Sequence, residues 1–154
     1  MYQGLLHLHN FLRWVILLLL LVNIIRQVAA MNKPFEKADK KLGLLLMITA
    51  HVMLLIGLYQ YFAGNNGFRL FTENGAAVVM RDPALRFWAV EHISSMILAI
   101  VLITVARGVF RKPITNNAKH KRALLLYVVA LILVLAAVPW PFRENIARPL
   151  FPGM

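Results

Sequence analysis

The chain has 154 residues, 60% of them hydrophobic, and 17 Lys and Arg against 6 Asp and Glu give it a formal net charge of +11. Soluble domains are about 45–50% apolar, so this composition, with a mean hydropathy of +0.69, excludes an ordinary water-soluble globule. The lack of any cysteine excludes disulfides, iron–sulfur clusters and thioether-linked haem.

Four apolar stretches, approximately 5–25, 42–63, 86–106 and 121–138, reach or approach the about 20 residues that cross a bilayer as a helix. They are too long and too continuously apolar for barrel strands, and helices and closed barrels are the only backbones that satisfy themselves in lipid. The predicted fold is therefore an all-α membrane protein, a single four-helix transmembrane domain over 1–154.

The first segment reads as a span and not as a cleavable signal. It has no basic stretch before it, and only the weak cluster Val28-Ala29-Ala30 after it. It ends near Arg26-Gln27, and Pro34 is expected in the first turn of the next helix. The second helix ends before Gly64-Asn65-Asn66-Gly67. From there, Phe68–Thr72 and Ala76–Met80 flank Asn74-Gly75, which predicts a β-hairpin. Asp82-Pro83 reads as an N-cap with proline at N1, opening a third helix that Arg111-Lys112-Pro113 closes. The fourth begins near 116–121 and stops at Pro139-Trp140-Pro141. The tail 142–154 is an outer extension.

The charge is not spread as a nucleic-acid surface would spread it. Arg26, Lys33, Lys37, Lys40 and Lys41 follow the first span, and Arg107, Arg111, Lys112, Lys119, Lys121 and Arg122 join the third to the fourth. By the positive-inside rule both loops are cytoplasmic. The helices then run up-down-up-down, with both termini and the 64–85 hairpin loop extracytoplasmic. Tyr2, Tyr61, Phe62, Phe87, Trp88, Trp140 and Phe142 form the expected aromatic belt on the outer side, and membrane lipids are the first partners.

Ionisable side chains inside a span are rare and usually functional. His9, His51 and His92 fall near or inside three different spans. At about 1.5 Å per residue, counting from the basic inner ends puts His9 about 5 Å, Glu91 and His92 about 6–8 Å, and Arg13 about 10 Å below the outer surface, with His51 near the midplane. On the first helix His9 and Arg13 share a face with Ile16, Leu20, Asn23 and Gln27. On the third, His92 shares one with Ser95, Met96 and Ala99.

Neutral imidazole is a common metal ligand, and two imidazoles from facing helices hold a b-type haem. The axial pair is His9 with His92 by depth, with His51–His92 and His9–His51 as rivals. Arg13 and Glu91 are either a mutual ion pair or, respectively, a propionate partner and a residue that orients a histidine or carries protons. Arg86 is a second propionate candidate. His7 is interfacial, and His120, within Lys119-His120-Lys121-Arg122, is expected at a solvated inner end.

The segments Leu6–Trp14, Met47–His51, Phe87–His92 and Pro139–Phe142 resemble a family of small bacterial four-helix membrane proteins named cytochrome b-like, over nearly the whole length. The Glu91-His92 pair is also similar to haem A synthases, although no second matching half accompanies it. The resemblance implies a bacterial inner membrane, haem b, and electron exchange with a quinone or another membrane redox protein. Two alternatives come from other classes. One is a metal-free quinone or lipid pocket lined by Arg13, His51 and Glu91. The other is an accessory subunit of a larger membrane complex.

Overall fold

The computed structural model describes residues 2–151. Its elements are α1 (Tyr2–Ala29), α2 (Lys37–Ala63), α3 (Phe68–Asn74), α4 (Ala76–Arg81), α5 (Pro83–Arg86), a π-helical turn (Phe87–Glu91), α6 (His92–Val109) and α7 (Asn116–Ala137). Four segments are long and apolar enough to cross a membrane: Tyr2–Ala29, Lys37–Asn74, Pro83–Val109 and Asn116–Ala137.

The helix starts follow local chemistry. Asp82 caps α5 by accepting the Leu85 N–H at 2.9 Å, with Pro83 at N1. Thr115 caps α7 by accepting from Ala118 N at 3.3 Å. α2 starts at Lys37 with Glu36 as its N-cap, so Pro34 lies before the helix and not in its first turn, and the Glu36 N–H donates to Asp39 Oδ2 at 2.8 Å. Asp39 is fully buried and also accepts from Arg26 Nε at 2.8 Å, which ties the end of α1 to the start of α2.

The expected β-hairpin is not formed. Residues 68–81 fold as the short helices α3 and α4, and no strand occurs among the described residues. Gly75 separates the two helices at φ 79°, a left-handed conformation that suits glycine. The same Asn-Gly pair that can turn a hairpin here breaks a helix. The flanking run Ala76–Met80 lacks the polar alternation that would have held a strand.

The four long helices form a ring. α1 packs on α2 and α7, and α6 packs on α2 and α7, leaving α1 and α6 on a diagonal. Leu20, Leu46, Ala50, Ile103, Ala106, Ala123, Tyr127 and Ala130 are all fully buried between them. The alanines matter because membrane helices gain little from apolar burial against each other and depend on close backbone approach. Outside, Leu18, Ile25, Leu55, Leu125 and Ile132 are exposed, a surface matched to lipid.

The two basic links meet at one end of the bundle. Asn117 Nδ2 donates to Met31 O and to Asn32 Oδ1, each at 3.1 Å. The Phe35 ring lies 4.4 Å from Phe110 and 5.0 Å from His120. The chain after α7 folds back elsewhere: the Phe151 ring stacks on Trp14 at 5.7 Å. That is the tail end of the bundle.

Candidate functional site

At the tail end the ring of helices opens into a cavity of about 630 Å³, lined from α1, α2, α6, α7, the π-turn and the returning tail. Ligand pockets commonly measure about 300–1,000 Å³. The floor is apolar, made by Ile16, Ala50, Met53, Ala99, Ile103 and Val134. Polar groups cluster above it.

His9 and His92 both line this cavity, one from each of the diagonal helices. The position of the His9 ring depends on one small residue. A side-chain carbon added to Gly57 would lie 3.2 Å from His9 Cε1, so glycine lets the ring lie against α2. The His9 Nδ1 atom is buried without a hydrogen-bond partner.

His92 is held more completely. Its Nδ1 lies 2.8 Å from Ala137 O. A carbonyl only accepts, so Nδ1 is the donor and carries the proton. A neutral ring in that tautomer keeps its lone pair on Nε2. The Phe87 and Trp88 rings flank it at 5.9 and 6.1 Å. The π-turn immediately before it adds a residue to the helical repeat, a feature often found at functional sites.

Arg13 also lines the cavity and is only 7% exposed. Its Nη2 donates to Leu150 O at 2.7 Å, and its guanidinium lies 5.2 Å from the Trp14 ring centroid. Nε has no partner, and no ion pair is made to it among the described residues. The contemplated Arg13–Glu91 pair is therefore absent. Glu91 is exposed and pairs with Arg86 Nε at 2.7 Å, because the π-turn carries it away from the His92 face. Arg86 also donates to Met80 O at 3.0 Å and borders a separate shallow hollow with Arg143.

His51 does not reach the cavity. It is exposed, with Nδ1 2.8 Å from Met47 O one turn back on its own helix. Its neighbour Ala50 is the buried cavity residue; about 100° of helical rotation separates the two. His7 is exposed near the rim. Among the described residues no three His, Cys, Asp or Glu side chains converge on a metal-ion site, so His9, His51 and His92 are not one ligand set.

Several lining residues escaped the sequence reading. Asn10 Oδ1 and Gln60 Nε2 join His9 Nδ1 and Arg13 Nε as buried, unpartnered atoms on cavity-lining side chains. Asn10 follows His9 directly, which was a usable signal. Arg148 lines the cavity and lies over Trp88 at 5.0 Å; nothing local indicated that the tail would return. His120, expected in solvent, is fully buried with Nδ1 2.8 Å from Gln27 Oε1.

Compared with protein-family models, curated proteins and solved structures, the chain matches none.

Proposed function

We propose that this chain is a multi-pass protein of a bacterial inner membrane that holds one b-type haem between His9 and His92 and passes electrons to or from a quinone or a membrane redox partner. Its helices run up-down-up-down, with the basic links cytoplasmic and the cavity in the extracytoplasmic half. The observation that carries this reading is the His92 ring: its Nδ1–H is fixed on Ala137 O at 2.8 Å in a cavity shared with an imidazole from the diagonal helix. Anchoring of the second ring nitrogen is what orients metal-ligating histidines and makes them better donors.

The residues present fit the group. Two imidazoles could hold the haem iron. Buried, unpartnered polar atoms on His9, Asn10, Arg13 and Gln60 call for a guest that offers partners. Arg13 and Arg148 are suited to the propionates, since a guanidinium pairs with a carboxylate in a fork. Haem supplies one-electron chemistry when bound. The chain's own part is to hold the rings, exclude water with the apolar floor and place positive charge beside the acid groups.

A metal-free quinone pocket is the second reading. It is favoured by Gln60 Nε2 and Arg13 Nε, two donors without partners that suit carbonyl oxygens. Titration of the purified protein with haem, followed at the Soret band, separates the two. The haem reading expects saturation at one equivalent and at least tenfold weaker binding in His92→Ala. No saturable binding leaves the quinone pocket.

A further inference from the structure

An α-helix leaves its last four carbonyls without an intrahelical donor. In α7 the last regular bond is Val138 N–H to Val134 O at 3.0 Å, so the carbonyls of Leu135, Ala136, Ala137 and Val138 remain. Had the helix continued, the donors to the first three would have been residues 139, 140 and 141. Two of those are prolines, which have no N–H.

Each freed carbonyl is taken by a specific group. Trp140 Nε1 donates to Leu135 O at 2.8 Å, in place of Pro139. Arg143 Nη1 donates to Ala136 O at 2.7 Å, because the Trp140 N–H turns to Val138 O at 2.9 Å. His92 Nδ1 donates to Ala137 O at 2.8 Å, in place of Pro141. The same groups brace the ring from behind, since the Arg143 guanidinium also sits 4.8 Å over Phe87, whose ring flanks His92.

We propose that Pro139, together with Pro141, is a positioning residue for His92: Pro139 favours the extended backbone that takes Val138 out of the helix, and neither proline offers the N–H that a continued helix would return, so the Ala137 carbonyl is reserved for the imidazole, which fixes the ring's tautomer and leaves Nε2 as the atom offered to the cavity. The two prolines thus act through the last carbonyls of α7 upon a side chain of α6. Trp140 completes the arrangement by closing the Leu135 carbonyl, so that the helix end is satisfied without extending. The fixed tautomer is a property of the protein alone. Its effect on a bound guest rests on the haem reading.

The test is ¹⁵N nuclear magnetic resonance of histidine-labelled protein in detergent, purified free of haem, with His92 assigned by its loss in His92→Ala. In the wild type the Nδ1–H tautomer is expected to make up nearly all of the neutral His92 signal. In Pro139→Ala/Pro141→Ala, both backbone donors return and the Nδ1–H form is expected to fall to a minority, with helix content equal or higher. Pro141→Ala alone gives little shift, because Pro139 still holds Val138 extended, and Trp140→Phe gives none. A wild-type His92 in the Nε2–H form overturns the proposal without any variant being needed. So does a His92 that stays Nδ1–H in the double variant. In haem-loaded protein the double variant is expected to show a raised reduction potential with both axial ligands kept. A colourless protein that nevertheless shows the tautomer switch leaves the positioning role standing and removes only the haem reading.

Discussion

Gln27 and His120 are joined by a 2.8 Å hydrogen bond between α1 and α7, and both side chains are fully buried. The imidazole donates from Nδ1, because the amide oxygen can only accept. Losing one partner of such a pair strands the other away from water, which costs about 1–3 kcal/mol. Gln27→Leu and His120→Leu are each expected to destabilise the bundle by about that amount. The double variant is expected to lose less than the sum, since residues in contact are not additive. Denaturant unfolding in detergent measures this, and strict additivity would contradict the pairing.

Trp14 is the anchor of the returning tail. Its Nε1 donates to Leu150 O at 3.1 Å and its ring stacks on Phe151 at 5.7 Å. Aromatic pairs add about 0.5–1.5 kcal/mol and a hydrogen bond about 1 kcal/mol. Trp14→Ala is therefore expected to release the tail locally. The Arg148 N–H, bonded to Pro139 O at 3.1 Å, reports it. Hydrogen exchange there is expected to quicken by about tenfold or more, with exchange in the middle of α1 and α7 unchanged.

Gly57 sets the clearance for His9. With its added carbon only 3.2 Å from the ring, Gly57→Val drives the imidazole into the cavity or out of line. Overpacking of this kind costs about 1–3 kcal/mol. Guest affinity is expected to fall by about tenfold to a hundredfold while the far end, read through the Gln27–His120 pair, keeps its stability. Binding unchanged in Gly57→Val would mean that His9 does not face the guest.

Much of this arrangement was legible in the chain. Four long apolar runs had to become helices because lipid leaves the backbone no other partner. The 3.6-residue period of α1 placed Arg13, Ile16, Leu20, Asn23 and Gln27 on one face, and all five are buried. The depth count put His9 and His92 at one level, and they share a cavity.

What escaped depends on orientation. α2 is apolar all round, so its pattern could not say whether Ala50 or His51 faces inward, and the chain turned Ala50 in. The π-turn shifts the phase between Glu91 and His92, which an ideal 3.6 period cannot register. His120 sits in a basic run whose neighbour Lys121 is exposed and whose neighbour Lys119 is half-buried, while the imidazole finds Gln27, a partner 93 residues earlier. The Pro139-Trp140-Pro141 signal marks a helix stop in the sequence, and its second consequence, a free carbonyl for His92, appears only in the tertiary structure.

In the proposed haem site His9 and His92, and not His51, serve one guest. This pairing is tested most directly by the reduced-minus-oxidised absorption spectrum of the protein purified from haem-supplied cells, compared across wild type, His9→Ala, His51→Ala and His92→Ala. Sharp α and β bands are expected in the wild type and in His51→Ala, with their loss in both His9→Ala and His92→Ala. A colourless wild type, or bands that survive His9→Ala and vanish in His51→Ala, would contradict it.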